Sequence, residues 1–378
     1  MVAMESQERQ RGGPLAGIRV LDLSGFPPGA YCTVTLADMG ADILRVEPIK
    51  RANQPIRSGG VGLARGKRSM TLDLRHPRAP EVLMRLAANT DVVVEDRRPG
   101  RLDSLGMGYG RVMPELPSLI WCSVTGWGKT GPNANRPGHD LTFAGHSGLL
   151  AALQPELPWH PQFGLTTSLA GLMAAVGVMA AIVERTRTQQ GSLVDISLAD
   201  VGTWVLSAED GVLAGTPAGI PVGPDRRQYR CSDGRYVSVA AVEPKSWAAL
   251  CNGVGLPELL DREHVDEATA TDQLARIFAS APAAEWVGRL GPSGTGIGAV
   301  NQGPEVVHDP HNLARGTTIR IGRVVVPANP IHLMRHDGST VGTADREPPL
   351  AGADTDGALF DVGYDASEVA ELRALGVV

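Results

Sequence analysis

The 378-residue chain has few aromatic residues, few cysteines and no excess of positive charge. Each shortage removes a class of protein. Thirty-five Lys and Arg against 41 Asp and Glu give a formal net charge of -6, whereas a nucleic-acid surface needs a clustered basic excess. The four cysteines, Cys32, Cys122, Cys231 and Cys251, are far apart and form no C-x-x-C pair. That spacing suits reduced thiols in a cytoplasmic protein better than a disulfide framework or a zinc site. His308 and His311 flank Asp309-Pro310 without a third ligand at clear spacing, so no metal site is expected. No Gly-x-Gly-x-x-Gly follows the first strand, which leaves a dinucleotide site without motif support. Met1 to Pro14 mixes charges of both signs and lacks an apolar core, and it reads as a flexible leader. Phe163 to Val183 carries no charge and is long enough to pose the question of a membrane span. Its richness in Ala, Gly, Thr and Ser points instead to a buried helix of a large α/β protein, with no membrane partner. With 4% aromatics, few stacking side chains remain from which to read an acyl pocket.

What is present is a βα alternation. Gly17 to Leu23 reads as a buried strand ended by the turn Gly25-Phe-Pro-Pro-Gly29. A helix is predicted over Ala30 to Met39, closed by Gly40, and Ala41 to Val46 is the next strand. A helix over Pro80 to Asn89, strands over Asp91 to Glu95 and Leu119 to Thr125, and a strand over Gly191 to Ser197 continue the series. Between the last two, Leu172, Met173, Val176, Met179, Ala180 and Val183 recur at helical spacing. The alternation predicts an α/β fold with a mostly parallel sheet covered on both faces. The pattern then changes. Arg230 to Val239 reads as a hairpin turning at Asp233-Gly234, followed by helices over Lys245 to Gly253 and Asp272 to Ser280. The expected organisation is a leader over 1–14, a large domain beginning at 15–223, a smaller α+β domain over 224–318, and a return to the large domain over 319–378. Ile319 to Val326 is the expected returning strand, and Asp365 to Leu375 a terminal helix capped by Asp365 or Ser367.

Two segments carry candidate chemistry: Arg136-Pro-Gly-His-Asp140 and Val242-Glu-Pro244. His139 and Glu243 are the residue types that deprotonation beside a carbonyl needs. A thioester α-proton is weakly acidic, so its removal requires a base poised near neutral pH and donors aimed at the enolate oxygen. Against this stand a structural histidine satisfied by a carbonyl, and a Glu that merely opens a helix before Pro244. His146, in Ala144-Gly-His-Ser-Gly148, and His160, beside Trp159, are further acid/base candidates or surface residues. Arg65, Lys67, Arg68, Arg97, Arg98 and Arg101 are either a solvated basic face or contacts for an anion. Arginine suits the second role because its planar fork bridges phosphate oxygens.

A set of short motifs, in order along nearly the whole chain, resembles family III CoA-transferases, and within them the α-methylacyl-CoA racemase branch. They are Pro14-Leu-Ala-Gly-Ile-Arg-Val20, Leu36-Ala-Asp-Met-Gly-Ala-Asp42, Arg45-Val-Glu47, Arg65-Gly-Lys-Arg-Ser69 and Arg98-Pro-Gly100. Pro137-Gly-His-Asp140, Gly191-Ser-Leu-Val-Asp195, Ala241-Val-Glu-Pro244 and Leu375-Gly-Val-Val378 complete the set. The resemblance implies a large doubly wound domain, a small domain and an interlocked homodimer, or a heterodimer with a related chain. It implies an acyl-CoA or carrier-bound thioester as substrate and no tightly bound cofactor. It places Arg45, Arg98 and Arg101 at coenzyme A, with the Arg65 to Ser69 loop, including Lys67, as a further contact. His139 and Glu243 match its acid/base residues, with Asp140 beside the histidine. One position departs. Where the family carries an Asp before a long Ala/Gly-rich helix, this chain has Thr166, or Thr167 if one gap is allowed. A threonine hydroxyl needs an adjacent base to become a nucleophile, and a helix-cap role for Thr166, Thr167 or Ser168 is its plainer reading. Three activities follow: proton transfer at the α-carbon with His139 as base, CoA transfer with a replaced nucleophile, or a non-catalytic CoA-binding subunit.

Overall fold

The computed structural model describes residues 12–56, 60–153, 163–208, 211, 213, 222–261, 264–337, 340–341 and 344–378. Most of the predicted leader, and His160 with Trp159, lie outside them. The chain divides into two compact units, Met1–Ala218 with Arg315–Val378, and Gly219–Ala314.

The larger unit is built on a six-stranded parallel sheet of order β3-β2-β1-β4-β5-β6. Its strands are β1 (Arg19–Asp22), β2 (Asp42–Glu47), β3 (Arg68–Thr71), β4 (Val92–Glu95), β5 (Ile120–Thr125) and β6 (Leu193–Ser197). The period-two alternation of a strand sends successive side chains to opposite faces, and both faces here are apolar. Val20, Ile43, Val92, Val94, Ile120 and Cys122 face one core, against α1 (Pro27–Asp38) and the long helix over Leu165–Thr188. Leu21, Leu44, Val46, Met70, Val93 and Trp121 face the other, against α2 (Ala79–Ala88) and the C-terminal residues Leu359, Leu372 and Val377. A parallel sheet must be covered on both sides because its crossovers place helices there, and the near-continuous apolar strands meet that demand.

Three further helices of this unit position the site: α3 (Asp140–His146), α4 (Leu165–Thr188) and α5 (Leu198–Trp204). The 24-residue α4 is long and apolar enough to cross a membrane by length and composition alone. It lies on the sheet instead, with Ala170, Gly171, Ala174, Ala175 and Val178 buried. Gly171 allows this approach, because a Cβ there would strike the Tyr31 side chain and the Pro28 carbonyl on α1. The predicted strand Ile319 to Val326 is a correction: Thr318–Ile321 and Val324–Pro327 form an antiparallel hairpin, turned by Gly322 at φ 55°.

In the smaller unit the predicted hairpin is present as Arg226–Arg230 paired with Tyr236–Ala240, and Ile297–Ala299 adds a third antiparallel strand. Helices Pro244–Val254, Glu267–Phe278 and Ala283–Leu290 pack on it around Tyr229, Trp247, Phe278 and Trp286.

Candidate active site

The order of the large sheet reverses direction between β1 and β4, and open α/β sheets bind ligands outside the carboxyl ends of their strands at such a switch point. Here that edge holds a cavity of ≈ 300 Å³, lined by residues following β1, β4 and β5, by the loop before α3, and by Thr167 at the start of α4. Asp96, just past β4, is among the lining residues. Its two carboxylate oxygens accept the backbone N–H groups of Gly25 (2.6 Å) and Phe26 (2.9 Å) after β1. Burial pushes the Asp96 carboxyl up to about 7, against those two hydrogen bonds. Sequence reading passed over Asp96, although an acid directly after a buried strand is the signal that a switch-point turn carries charge.

The Pro137-Gly-His-Asp140 segment is held over this cavity by aromatic packing. Phe143, in the first turn of α3, lies against Gly126 and Gly138, where any Cβ would collide with its ring. Trp127 meets Phe143 edge-on at 5.1 Å and donates its indole N–H to the Arg136 carbonyl at 2.9 Å. His139 is the N-cap residue of α3, with extended backbone at φ -129° and ψ 173°. Its imidazole lines the cavity, and the residue forms a capping box with Thr142, whose hydroxyl accepts the His139 backbone N–H. His146 lies on the edge of Trp127, centroids 4.9 Å apart, and is not part of the lining.

Thr166 and Thr167 meet the site through Asp140. The Thr166 hydroxyl donates to Asp140 Oδ1 at 2.6 Å, and the Thr167 backbone N–H donates to the same oxygen at 2.7 Å. Thr166 is 0% exposed. The helix-cap expectation is therefore inverted. The N-cap of α4 is Gly164, and a carboxylate from 26 residues upstream satisfies the helix end that local threonines were expected to cap. An acid there is also favoured by the positive end of the helix dipole.

The basic residues divide into two sets. Arg45 (2% exposed), Arg65 (5%) and Lys67 (0%) are interior. Arg45 pairs with Asp22 at 3.4 Å and Glu47 at 2.5 Å, Lys67 with Asp22 at 3.2 Å, and Arg65 with Asp38 at 2.6 Å. The expectation that these three present charge to a ligand meets this fact: each is committed to an internal carboxylate. Burial raises the Asp22 carboxyl, but Lys67 and Arg45, with hydrogen bonds from Ser24 and Thr33, outweigh it and hold the group at about 2. Burial brings the Lys67 ammonium down to about 8, with Asp22 opposing. Arg98 and Arg101 are exposed. Arg98 lines the cavity, and Arg101 lines a neighbouring groove of ≈ 510 Å³ with Lys50, Arg75 and Leu72. Arg97 borders both.

Glu243 stands in the smaller unit as the exposed N-cap residue of the helix Pro244–Val254. Among the described residues, no group of three His, Cys, Asp or Glu side chains is arranged to hold a metal ion.

A family model described as CoA-transferase family III matches residues 15–355. The chain belongs to CoA-transferase family III. It is 32% identical over 376 residues to the human protein named alpha-methylacyl-CoA racemase, covering 95% of this chain and 96% of that one. It is 28% identical over 402 residues to human succinyl-CoA:glutarate CoA-transferase, at 97% and 90% coverage. Among solved structures, a CAIB/BAIF family protein from Brucella suis superposes with a TM-score of 0.81 at 26% identity, over 93% of this chain and 100% of that chain. This family III chain is thus an enzyme of racemase-like or CoA-transferase type, and its parallel sheet with separate small antiparallel sheets is the family's fold.

Proposed function

We propose that the enzyme moves a proton at the α-carbon of an acyl-CoA thioester, with His139 as the base. The observation that carries this reading is the state of Thr166. An acyl-enzyme anhydride needs a carboxylate, and the helix start carries this threonine instead, whose hydroxyl is buried, donates to Asp140 and does not line the cavity. What lines the cavity is an imidazole beside a carboxylate, the equipment of proton transfer. The acyl thioester occupies the ≈ 300 Å³ cavity, with its carbonyl oxygen toward the positive end of α4, where developing enolate charge is stabilised. The CoA nucleotide lies along the ≈ 510 Å³ groove with Arg97, Arg98 and Arg101 at its phosphates. The role given to Glu243 rests on the motif alone. Leu172, Val176 and Val183 on α4 are 43%, 53% and 60% exposed, an apolar face that fits pairing with a second copy. Four buried free cysteines suit a reducing cytoplasm.

The test is deuterium incorporation at the α-carbon of 2-methylacyl-CoA in heavy water. Incorporation by the wild type, reduced about 10²- to 10⁴-fold in His139→Ala for the enantiomer whose α-hydrogen His139 removes, is the expected result. No exchange across a panel of α-branched acyl-CoAs would defeat the reading. CoA transfer is the second reading, favoured by the 28% identity to a CoA-transferase over 97% of the chain. It expects CoA exchange between an acyl-CoA and free carboxylates, with hydroxylamine trapping an anhydride on the cavity carboxylate, Asp140.

A further inference from the structure

Racemisation needs one group to take a proton from the α-carbon and another to return one on the opposite face. Two carboxylates line the cavity, Asp96 and Asp140. Asp96 has both oxygens bound by backbone N–H groups of the β1 turn. Asp140 has both of its hydrogen bonds on Oδ1, from Thr166 and Thr167, and among the described residues nothing engages Oδ2. His139 also lines the cavity, and a ring nitrogen that accepts the Thr142 N–H in the capping box leaves the second nitrogen for proton transfer. His139, the N-cap residue, and Asp140, the first helical residue, both line the same cavity.

We infer that Asp140 is the second acid/base of the site, working through Oδ2 on the face opposite His139, with Thr166 as the positioning residue that fixes Oδ1. This assignment rests on the α-carbon reading above. In one direction the Asp140 carboxylate takes the α-hydrogen as a proton. The C–H electron pair becomes the enolate, its charge on the thioester oxygen. The His139 imidazolium then delivers a proton to the other face of the α-carbon as the carbonyl reforms. The product leaves Asp140 protonated and His139 neutral, the state that runs the opposite direction, and exchange of both groups with water resets either form. The threonine is part of the device. A carboxylate at 166 would stand within hydrogen-bond distance of Asp140 Oδ1, where two like charges cannot both ionise.

The experiment uses the full chain with the R and S enantiomers of 2-methylacyl-CoA supplied separately in heavy water. In a two-base site each enantiomer loses its proton to a different residue. Asp140→Asn is expected to lose exchange from one enantiomer by about 10²-fold or more, and to keep exchange from the other within about tenfold. His139→Ala gives the mirror result, and both variants lose net racemisation. The retained enantiomer reports that the protein is folded. Thr166→Val is expected to lower kcat about tenfold for the Asp140-dependent enantiomer alone with KM unchanged, Thr166→Ser to restore it, and Thr166→Asp to lower it further. A merely structural Thr166 would depress both enantiomers alike. Asp140→Asn reducing both enantiomers equally, or neither, or Thr166→Asp raising activity, overturns the assignment while leaving the α-carbon reading in place. No exchange by the wild type overturns that reading and the assignment with it.

Discussion

Asp22 ends β1 and Asp96 follows β4, on adjacent parallel strands, yet their carboxyls are driven in opposite directions, to about 2 and about 7. Both are buried, so burial alone does not separate them. The difference lies in what surrounds each one. Asp22 accepts from Ser24, Thr33 and Lys67 and pairs with Arg45. Asp96 receives two backbone N–H groups and feels the Asp22 charge, which raises its carboxyl, and the Arg45 cation, which opposes it. One acid is sealed into a structural network, and the other borders an open cavity. The same edge of the sheet therefore holds a closed electrostatic lock and a polar site side by side. A charged residue's role there depends on its partners, not on its type.

The largest effect is expected from breaking the lock. Asp22→Ala leaves Lys67 and Arg45 buried without their shared counter-charge, which costs about 3–5 kcal/mol by the measure of broken buried pairs. Chemical denaturation of the variant against wild type reads this directly. Combining Asp22→Ala with Lys67→Met removes one orphaned cation and is expected to recover part of the loss, a non-additivity that a double-mutant cycle measures. The sign of the pH dependence follows from the lowered carboxyl. Unfolded Asp22 titrates near the ordinary 3.8 and folded Asp22 at about 2. The stability it contributes is present above pH 4 and is lost as pH falls through that window, and Asp22 variants lack this acid limb.

Asp96 gives the opposite slope and a smaller effect. Its folded carboxyl titrates near 7, above the 3.8 of the unfolded chain. Between these values the native state binds more protons, so stability falls as pH rises from about 4 to 7, by up to about 1.4 kcal/mol per pH unit. Asp96→Asn is expected to flatten that decline. The amide oxygen can accept from Gly25 or Phe26 but not serve both as the two carboxylate oxygens do, so the net gain at pH 8 is on the order of 1 kcal/mol. Thermal denaturation at pH 5 and pH 8 compares the two chains, and an unchanged slope in the variant would mean another group sets it.

Much of the scaffold was legible beforehand because it follows from local pattern. Val92, Val93 and Val94 announce a two-faced buried strand, and the helical spacing from Leu172 to Val183 announces α4. The site was legible only in part. His139 and Asp140 stood out by type and by their short motif, and they do line the cavity. What the chain order could not show is that Asp140 reaches the start of α4 to hold Thr166 and Thr167, since a contact across 26 residues leaves no periodic trace. Arg45 is the instructive case. As a motif residue it resembles a ligand contact, yet strand alternation puts it on the same face as Ile43, which α1 covers. Period-two reasoning applied to β2 would have marked it as interior. The hairpin within Thr318–Pro327 escaped because its turn carries a single glycine, Gly322, between two β-branched runs that read as one strand.

The smallest expected effect separates the two sets of arginines by the quantity each one moves. Arg98 and Arg101 are exposed and line the cavity and the groove, so with CoA placed as proposed, replacing either removes a phosphate contact without opening the core. Arg98→Ala and Arg101→Ala are expected to weaken CoA binding about three- to tenfold each, a loss of about 0.7–1.4 kcal/mol, and the loss shrinks as salt is raised. Their unfolding free energies stay within about 0.5 kcal/mol of wild type, as for surface changes that break no buried partner. Arg45→Met reverses the pattern. It unsettles Asp22 and Glu47 in the interior and shows first as a lower midpoint of unfolding. Calorimetric titration with CoA, paired with denaturation of each variant, decides the matter. If Arg45→Met lost CoA affinity at undiminished stability, the sealed cluster would be part of the ligand site, and the division drawn between Asp22 and Asp96 would not hold.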